Sequence, residues 1–363
     1  MQATEPIVHE VAATIAHALP AVVELGPTLP SPEERGDLTS IRAMASQAAP
    51  EAGGFVIETA GLSKRFGQRV AVAGVDLRVP TGCAFGFLGP NGAGKTTVIR
   101  MLLGLIRASA GEMHLLGLPV PARRVEALRR VGAIVEEPRF HGHLTGRENL
   151  RCAAAARGHE TFARIEPGLE RVGLADRGDD RVKGYSLGMR QRLGIARCLL
   201  SDPALLILDE PMNGLDPAGI LEMRGLIREF VDEGRTVFLS SHLLDEVERT
   251  CDQVAIIDRG SVIVQGAIGD IAAGQDHVLV VGCDRPDEVA PMLRRHRGVA
   301  ELTVADTGEL RLRLAPDAPP LALSAELNRF LVEAGFEVHR LEPSRVSLEE
   351  RFLEITSRLG GDE

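Results

Sequence analysis

Residues 84–97, AFGFLGPNGAGKTT, place four glycines beside a lysine and two threonines. Gly89, Gly94, Lys95 and Thr96 satisfy the spacing G-x-x-x-x-G-K-[ST], with a strand-like apolar run before them and a helix-like run after them. Such glycines let backbone N–H groups turn inward around an anion, and the helix N-terminus adds partial positive charge. The segment therefore predicts a phosphate-binding loop rather than a chance glycine-rich turn. Its candidate contact residues are Gly89, Pro90, Asn91, Gly92, Ala93, Gly94, Lys95, Thr96 and Thr97.

Two adjacent carboxylates, Asp209 and Glu210, end the apolar run ALLIL that begins at Ala204. A continuous apolar run indicates a strand covered on both faces, and α/β folds bind ligands at the carboxyl ends of such strands. Successive strand residues point to opposite sides, so the two carboxylates can have different roles. We expect Asp209 and the Thr96 hydroxyl to hold Mg²⁺, Glu210 to polarise the attacking water, and Lys95 to reach the β- and γ-phosphates. An isolated Asp-Glu pair can also cap a helix N-terminus.

The segment YSLGM at residues 185–189, followed by RQRLGIAR, resembles the signature motif of the ATP-binding cassette (ABC) transporter ATPases. The form matched is Y-S-x-G-x-[RK]-Q-R, although Leu187 and Met189 stand where the commonest form has Gly and Gln. A serine at the start of a helix, with glycine leaving the backbone open, offers N–H groups and the helix dipole to an anion. The resemblance implies that Ser186 and Gly188 bind the γ-phosphate held by a second subunit.

The same resemblance implies roles for three further positions. Phe66, in the run KRFG, matches the aromatic residue that stacks on adenine; a core Phe at a strand edge is the alternative. Asp216 closes the run NGLD, which matches the loop that crosses the dimer interface. His242 follows the apolar run TVFLSS and matches the switch histidine that contacts the γ-phosphate, although a lone His is more often a surface or core residue. The predicted catalytic residues are Glu210, His242 and Lys95.

One position departs from the family pattern. The loop that joins the sheet to the helical insertion normally carries a Gln that ligates Mg²⁺, whereas the run VGAIVE places Glu136 there, next to Glu137. A carboxylate is an acceptable oxygen ligand for Mg²⁺, but it adds negative charge beside the phosphates. We therefore expect a metal site made of Thr96, Glu136 and Asp209. A solvated loop acid is the alternative for Glu136.

The elements that must position these residues alternate between strand-like and helical runs over residues 55–266, as in an α/β domain. Residues 145–200 are mostly helical and predict an inserted helical subdomain over about 137–200. With the resemblance, these runs predict a P-loop NTPase of the ABC type, with a RecA-like mixed sheet as its core. The predicted strands are 55–60, 69–79, 84–89, 112–116, 131–136, 204–209, 236–241 and 254–258.

The two ends of the chain differ from this central part. Residues 277–363 read β-α-β-β-α-β plus a last helix after Ser347, which predicts a C-terminal α+β accessory domain, a ferredoxin-like appendage. Its predicted strands are 278–283, 300–305, 309–314 and 337–341, and its predicted helices are 287–296 and 321–334. Residues 1–54 are rich in Pro, Glu, Ala and Ser and predict a flexible N-terminal extension, with a helix docking on a partner as the alternative.

Composition excludes several classes of protein. The net charge of −10 argues against a broad basic footprint for nucleic acid. No apolar run approaches the ~18 residues of a membrane span, and no basic n-region of a signal peptide opens the chain, so we expect a cytoplasmic location. The five cysteines show no C-x-x-C spacing and are expected to be reduced, packed thiols.

The resemblance implies the ATPase subunit of a two-component ABC exporter that uses ATP and Mg²⁺. The runs EEPRF from Glu136 and LTGRENL from Leu144 resemble exporter ATPases of the bacitracin- and lantibiotic-resistance type, and SLEERFL from Ser347 resembles their tail motif. The implied partners are a second copy of the chain, forming a homodimer, and an integral membrane permease on a separate chain, with no nucleic acid. The expected place is the inner face of the cell membrane. The cargo stays open among small toxic compounds, which are preferred, and peptide antibiotics, lipids or polysaccharides.

Two other functions stay open. A soluble ABC ATPase acting on DNA or ribosomes usually carries two cassettes or long coiled-coil arms, whereas this chain has one cassette and no heptad run. A nucleotide-binding module without turnover would lack the base or the switch residue, whereas Glu210 and His242 are both present.

Overall fold

The computed structural model describes residues 54–273, 278–305, 307–315 and 318–344. The strands in these residues are β1 (Phe55–Phe66), β2 (Arg69–Pro80), β3 (Ala84–Leu88), β4 (Ala110–Leu115), β5 (Leu118–Val120), β6 (Val131–Ile134), β7 (Leu205–Asp209), β8 (Thr236–Ser241), β9 (Gln253–Asp258), β10 (Ser261–Ala267), β11 (Val278–Cys283), β12 (Val299–Val304), β13 (Leu310–Leu314) and β14 (Val338–Ser344). The α-helices are α1 (Lys95–Leu102), α2 (Arg124–Leu128), α3 (Gly146–Ala155), α4 (Ile165–Arg171), α5 (Leu187–Leu199), α6 (Pro217–Asp232), α7 (Leu244–Thr250), α8 (Ile268–Ala273), α9 (Pro286–Leu293) and α10 (Pro320–Glu333).

A six-stranded central sheet has the order β10-β9-β3-β8-β7-β6. All its neighbouring pairs are parallel except β9 and β10, which pair antiparallel, so the sheet is mixed as predicted. Every residue of β3, β7 and β8 is buried, because both faces of the sheet are covered. The carboxyl ends of β3, β8, β7 and β6 therefore meet at one edge of the sheet.

The two faces of the central sheet pack against different layers. Alternate residues of β3 face different layers. Phe85 and Phe87 face a hydrophobic cluster that also contains residues of α1 and of the antiparallel sheet β2-β1-β4-β5. In this cluster Phe238 of β8 contacts both rings. Ala84 and Leu88 face the opposite cluster, which contains the helical subdomain and α6. This alternation follows from the period of two in a strand.

The helical subdomain consists of α3, α4 and α5, joined by short 3-10 turns. Its first helix begins with a capping box, in which Thr145 accepts from the Glu148 backbone N–H and the Glu148 side chain accepts from the Thr145 backbone N–H. Leu150, Leu169 and Leu193, one from each helix, are fully buried in the shared core. These contacts fix the insertion as a packed layer beside the sheet.

A third sheet lies in the C-terminal part of the chain and has the antiparallel order β12-β13-β11-β14. In chain order its strands stand 2-3-1-4, which is the arrangement that a β-α-β-β-α-β unit of the ferredoxin-like type produces. Helix α10 buries Leu323, Leu327 and Leu331, spaced four residues apart, in the core of this unit. The predicted appendage therefore has the ferredoxin-like strand order.

Several predicted boundaries differ from the structure. Strand β1 extends to Phe66 rather than residue 60, although three of residues 61–66 are exposed and their pairing with β2 is irregular. Strand β6 ends at Ile134 because the backbone of Glu136 turns into the left-handed region, with φ 61°. Strands β5 and β10 were not predicted; β5 has three residues, one of them Pro119, which gives no strand pattern. The extension over 1–53 and the helix after Ser347 lie outside the described residues.

Two expectations from composition can be compared with the structure. In the part of the chain that the structure describes, no helix is long and apolar enough to cross a membrane. All five cysteines are free thiols, and all except Cys152 are buried. Burial raises the pKa of the Cys83 and Cys198 thiols to about 11, with the charge of Asp252 adding to the effect at Cys83. The prediction of packed thiols is confirmed for the four buried cysteines, Cys83, Cys198, Cys251 and Cys283.

Candidate functional site

The predicted phosphate loop connects β3 to α1 at the carboxyl edge of the central sheet. Gly89 leaves β3 and donates its N–H to the Ser241 carbonyl (3.2 Å), which ties the loop to the end of β8. A Cβ atom on Gly89 would lie 2.2 Å from the Ile257 carbonyl oxygen, so no side chain fits there. Gly94 caps α1 with φ 108°, a conformation that strongly favours glycine. Both defining glycines are therefore required by the geometry of the loop.

Lys95 occupies the centre of the loop and is 5% exposed. Its Nζ donates to the carbonyl oxygens of Gly89 (2.6 Å) and Pro90 (3.3 Å). The same Nζ lies 3.3 Å from Oε1 of Glu210. The lysine charge is thus held between the loop backbone and the predicted catalytic carboxylate.

The Asp209 carboxylate lies at the end of β7 and is 3% exposed. It accepts from the Thr96 hydroxyl (2.9 Å) and from the Ser240 hydroxyl (2.5 Å). Hydroxyl and carboxylate oxygens are the hard donors that Mg²⁺ prefers, so Thr96 and Asp209 fit a magnesium site. Within the described residues no group of three His, Cys, Asp or Glu side chains could hold a metal alone. A magnesium ion here would therefore take further oxygens from the phosphates of a nucleotide.

The Glu210 carboxylate joins two of the predicted catalytic groups. Its Oε2 lies 2.8 Å from Nδ1 of His242, and its Oε1 faces Lys95. The backbone N–H of Glu210 donates to the Ser240 hydroxyl (3.0 Å), while its φ of 49° places a non-glycine residue in the left-handed region. Strain of this kind persists where the surrounding contacts fix the residue, as Lys95, His242 and Ser240 do here.

These groups line a cavity of about 460 Å³ beside the loop. Phe66 lies at its edge with 51% of the residue exposed, which excludes the alternative that it is a core residue. The Lys64 Nζ lies 4.9 Å from the centre of the Phe66 ring on one side. An exposed ring next to a phosphate loop can stack on a base. The lining residues are Phe66, Arg69, Ala71, Asn91, Gly92, Gly94, Lys95, Thr96, Thr97, Glu210, Asn213 and His242.

Replacing Phe66 with alanine is expected to weaken ATP binding by about five- to a hundredfold, since base stacking on an aromatic side chain contributes ~1–3 kcal/mol. Phe66→Tyr should restore the affinity because it keeps the ring. The measurement is the Kd for ATP and, in parallel, for inorganic triphosphate, whose affinity should not change. Phe55→Ala, at the other end of β1, is the matched control. Equal losses for both ligands would contradict a stacking role.

A second cavity, of about 400 Å³, lies on the side of the loop where Thr96 and Asp209 meet, which we call the metal side. Its lining brings Glu136 together with Thr96 and Asp209, as the predicted metal site requires. The Glu136 carboxylate forms an ion pair with Arg100 of α1, and its side chain is 61% exposed. Whether Glu136 ligates metal stays a prediction.

Ser186 and Gly188 flank Leu187, and Asp216 follows Gly214 by two positions; Leu187 and Gly214 both line the second cavity. Ser186, Gly188 and Asp216, all among the described residues, line neither cavity themselves. Ser186 caps α5 by accepting from the Met189 N–H (3.2 Å), and Asp216 caps α6 by accepting from the Gly219 N–H (3.0 Å). Ser186 and Asp216 are exposed and Gly188 is half-buried, so all three can be reached from outside.

Among the residues of the site that were not predicted from the sequence, Ser240 and Arg100 make the most direct contacts. Ser240 connects Asp209 to the Glu210 backbone, yet a serine near the end of a buried strand gives no signal of this contact. Arg100 follows Thr96 by four residues on α1, and this spacing, which places both side chains on one helix face, could have revealed it.

Comparison with known proteins decides the family. A family model described as ABC transporter matches residues 72–213. YhcH of Bacillus subtilis (strain 168), an uncharacterized ABC transporter ATP-binding protein, is 38% identical over 302 residues, covering 83% of this chain and 96% of the relative. The chain belongs to the ABC transporter ATP-binding proteins.

Other members of the family agree with this assignment. BcrA of Bacillus licheniformis, a bacitracin transport ATP-binding protein, is 39% identical over 301 residues, covering 83% of this chain and 97% of the relative. A solved structure of the ATP-binding subunit of an ABC transporter is 32% identical with a TM-score of 0.54, covering 60% of this chain and 91% of the other. The predicted ABC-type fold is thus confirmed, and the chain is an ATPase of this family.

Proposed function

We propose that this chain is the ATP-hydrolysing subunit of a two-component ABC exporter, which powers efflux through a separate membrane permease. The observation that carries the proposal is the convergence of Lys95, Asp209, Glu210 and His242 at one edge of the central sheet. These side chains come from separate segments between positions 95 and 242 of the chain. Together they supply a cation, a metal-binding carboxylate and a carboxylate held by a histidine, which are groups that phosphoryl transfer to water uses. A nucleotide-binding module without turnover would not need a carboxylate held by both a lysine and a histidine.

In the proposed reaction, the backbone of the loop and Lys95 bind the β- and γ-phosphates, because the residues of the loop and Lys95 line one cavity at the N-terminus of α1. Glu210 orients the attacking water, and His242 holds the Glu210 carboxylate through Nδ1. Thr96 and Asp209 would hold Mg²⁺, which neutralises charge on the transferred phosphoryl group when it is bound. Catalysis then depends mainly on positioning and on electrostatic stabilisation of the transition state.

The site of one chain is proposed to be completed by a second copy. Ser186 and Gly188 lie at the N-terminus of α5, where backbone N–H groups and the helix dipole attract an anion. Ser186 is exposed and Gly188 is half-buried, so both are accessible to the γ-phosphate of an ATP molecule bound by a partner copy. Asp216, exposed at the start of α6, is proposed to lie in the same interface. The two copies would form a head-to-tail homodimer around two ATP molecules.

Glu136 is proposed as a further oxygen ligand of the metal and as a link to the permease. It lies in the cavity that contains Thr96 and Asp209, in the loop that leads from the sheet into the helical subdomain. In the same loop, Glu137 contacts Arg190 of α5 (3.1 Å), whose NH1 also donates to the Tyr185 carbonyl (2.7 Å) next to Ser186. The adjacent carboxylates of Glu136 and Glu137 thus connect the cavity beside the phosphate loop to α5, the helix that Ser186 caps.

Export and cargo are proposed from the relatives. BcrA is named for bacitracin transport, and this chain covers 97% of its length. We therefore place this chain at the inner face of a membrane, with a toxic small molecule or a peptide antibiotic as cargo. The alternative of a soluble ATPase acting on ribosomes or DNA is not favoured, because these relatives are transporter subunits by name.

The proposal predicts that a membrane permease co-purifies with the tagged chain and stimulates its ATPase activity in vesicles. Coupling is expected because the catalytic residues lie in the core, while the loop after β6 connects them to the subdomain that would contact the permease. The measurement is ATP hydrolysis with and without the permease, and Lys95→Ala is the control that should remove both rates. Sedimentation with ribosomes or DNA at physiological salt, without permease stimulation, would contradict it.

A further inference from the structure

Four carboxylates gather at the metal side of the phosphate loop. Three have cationic partners: Glu210 faces Lys95, Glu137 pairs with Arg190, and Glu136 pairs with Arg100. Asp209 instead accepts two hydroxyl hydrogen bonds, from Thr96 and Ser240. Within the described residues no ion pair joins Asp209, so its negative charge is the one that no side-chain cation offsets.

Arg100 is placed on the phosphate helix itself. It follows Thr96 by one helical turn on α1, so the metal-side hydroxyl and the guanidinium share a helix face. Its NH2 contacts Oε1 of Glu136, while 41% of the Arg100 side chain stays exposed. The backbone of Glu136 has φ 61°, a strained value for a residue with a side chain. The Arg100 contact therefore helps to hold a carboxylate whose backbone conformation is itself unfavourable.

We propose that Arg100 is a positioning residue that neutralises Glu136, so that a carboxylate can stand beside the γ-phosphate without repelling it. The inference rests on the proposed function, because it assigns a role at the ATP site. A negative charge next to the terminal phosphate opposes binding of a triphosphate, and an adjacent guanidinium cancels that charge. The Arg100–Glu136 pair then offers a carboxylate oxygen as a metal ligand, while the net charge of the pair is close to zero, like the charge of a glutamine amide.

This role makes a prediction that simple structural damage would not produce. Arg100→Met leaves Glu136 as an uncompensated anion, so the affinity for Mg²⁺ with AMP-PNP, a non-hydrolysable triphosphate analogue, should fall about five- to tenfold. Affinity for ADP should change less than twofold, because the γ-phosphate is absent. The double variant Arg100→Met with Glu136→Gln should recover the affinity, since it contains no unpaired charge.

The experiment measures Kd values of the full chain for Mg²⁺ with AMP-PNP and for ADP, at low and high salt. Arg123→Met is the matched control, because Arg123 forms a similarly exposed pair with Glu126 elsewhere on the core. The loss in Arg100→Met should shrink at high salt, since exposed charges are screened. An unchanged Kd in Arg100→Met, an equal loss for ADP, or a double variant no better than Arg100→Met would overturn the proposal. Failure of the proposed function is separable, because it would show as ATP hydrolysis that survives Lys95→Ala.

Discussion

Replacing Glu210 with glutamine is expected to reduce ATP hydrolysis by a factor of about 10²–10⁴, the usual contribution of a general base. An amide can still accept a hydrogen bond, but it cannot take a proton from water or hold the charge of Lys95. In this chain both carboxylate oxygens are used, one by Lys95 at 3.3 Å and one by His242 at 2.8 Å. The measurement is steady-state release of phosphate, with Kd for ATP determined separately.

The same variant should retain ATP and accumulate as a dimer in the presence of Mg²⁺, because closure would no longer be followed by hydrolysis. Sedimentation or light scattering with ATP and with ADP detects this change in mass. Glu248→Gln, a substitution of an exposed glutamate on α7, is the control and should leave both rate and mass unaltered. A Glu210→Gln chain that stays monomeric with Mg²⁺ and ATP, alone and with the permease, would refute the proposed interface.

Replacing Lys95 with alanine is expected to lower the hydrolysis rate by at least about 10²-fold, since it removes a cation that stabilises charge developing on the phosphates. The effect should be large because Lys95 is 5% exposed and no other lysine or arginine side chain in the described residues contacts Glu210. Loss of the ammonium also leaves His242 as the remaining side-chain partner of the Glu210 carboxylate.

The variant should be measured for hydrolysis and for thermal unfolding. A folded Lys95→Ala chain without activity supports the role of the ammonium in the reaction. Lys95→Arg tests whether charge alone is sufficient. We expect it to remain impaired, because a planar guanidinium does not reproduce the hydrogen bonds that the Lys95 ammonium donates to the Gly89 and Pro90 carbonyl oxygens. Hydrolysis at the normal rate in Lys95→Ala would place the catalytic site elsewhere.

The elements closest to the chemistry could be predicted from the sequence. Strand β3 is apolar throughout and β7 is apolar up to Asp209, because each strand is covered on both faces, and each leads directly into the residues that form the site. A motif of fixed spacing, such as the one from Gly89 to Thr96, carries its own local geometry. The loop could therefore be predicted from the motif, although its contacts with the Ser241 and Ile257 carbonyls could not.

Contacts between distant segments could not be predicted in the same way. The Ser240 hydroxyl reaches Asp209 across 31 positions of sequence, and the Arg100–Glu136 pair spans 36 positions. Such contacts depend on the order of strands in the sheet and on where a loop turns, as at Glu136. Strand β5 was missed for another reason: it is three residues long and is defined by pairing with β4 rather than by its own pattern.

The burial of four cysteines makes selective labelling of the protein at an introduced thiol practical. Since Cys83, Cys198, Cys251 and Cys283 are buried and their thiol pKa values are raised by burial, they are poor targets for maleimide reagents at neutral pH. Substituting Cys152 alone would leave a background in which a thiol introduced next to Ser186 reacts selectively. A spin label or fluorophore there would test whether two molecules approach each other during turnover, as the proposed homodimer requires.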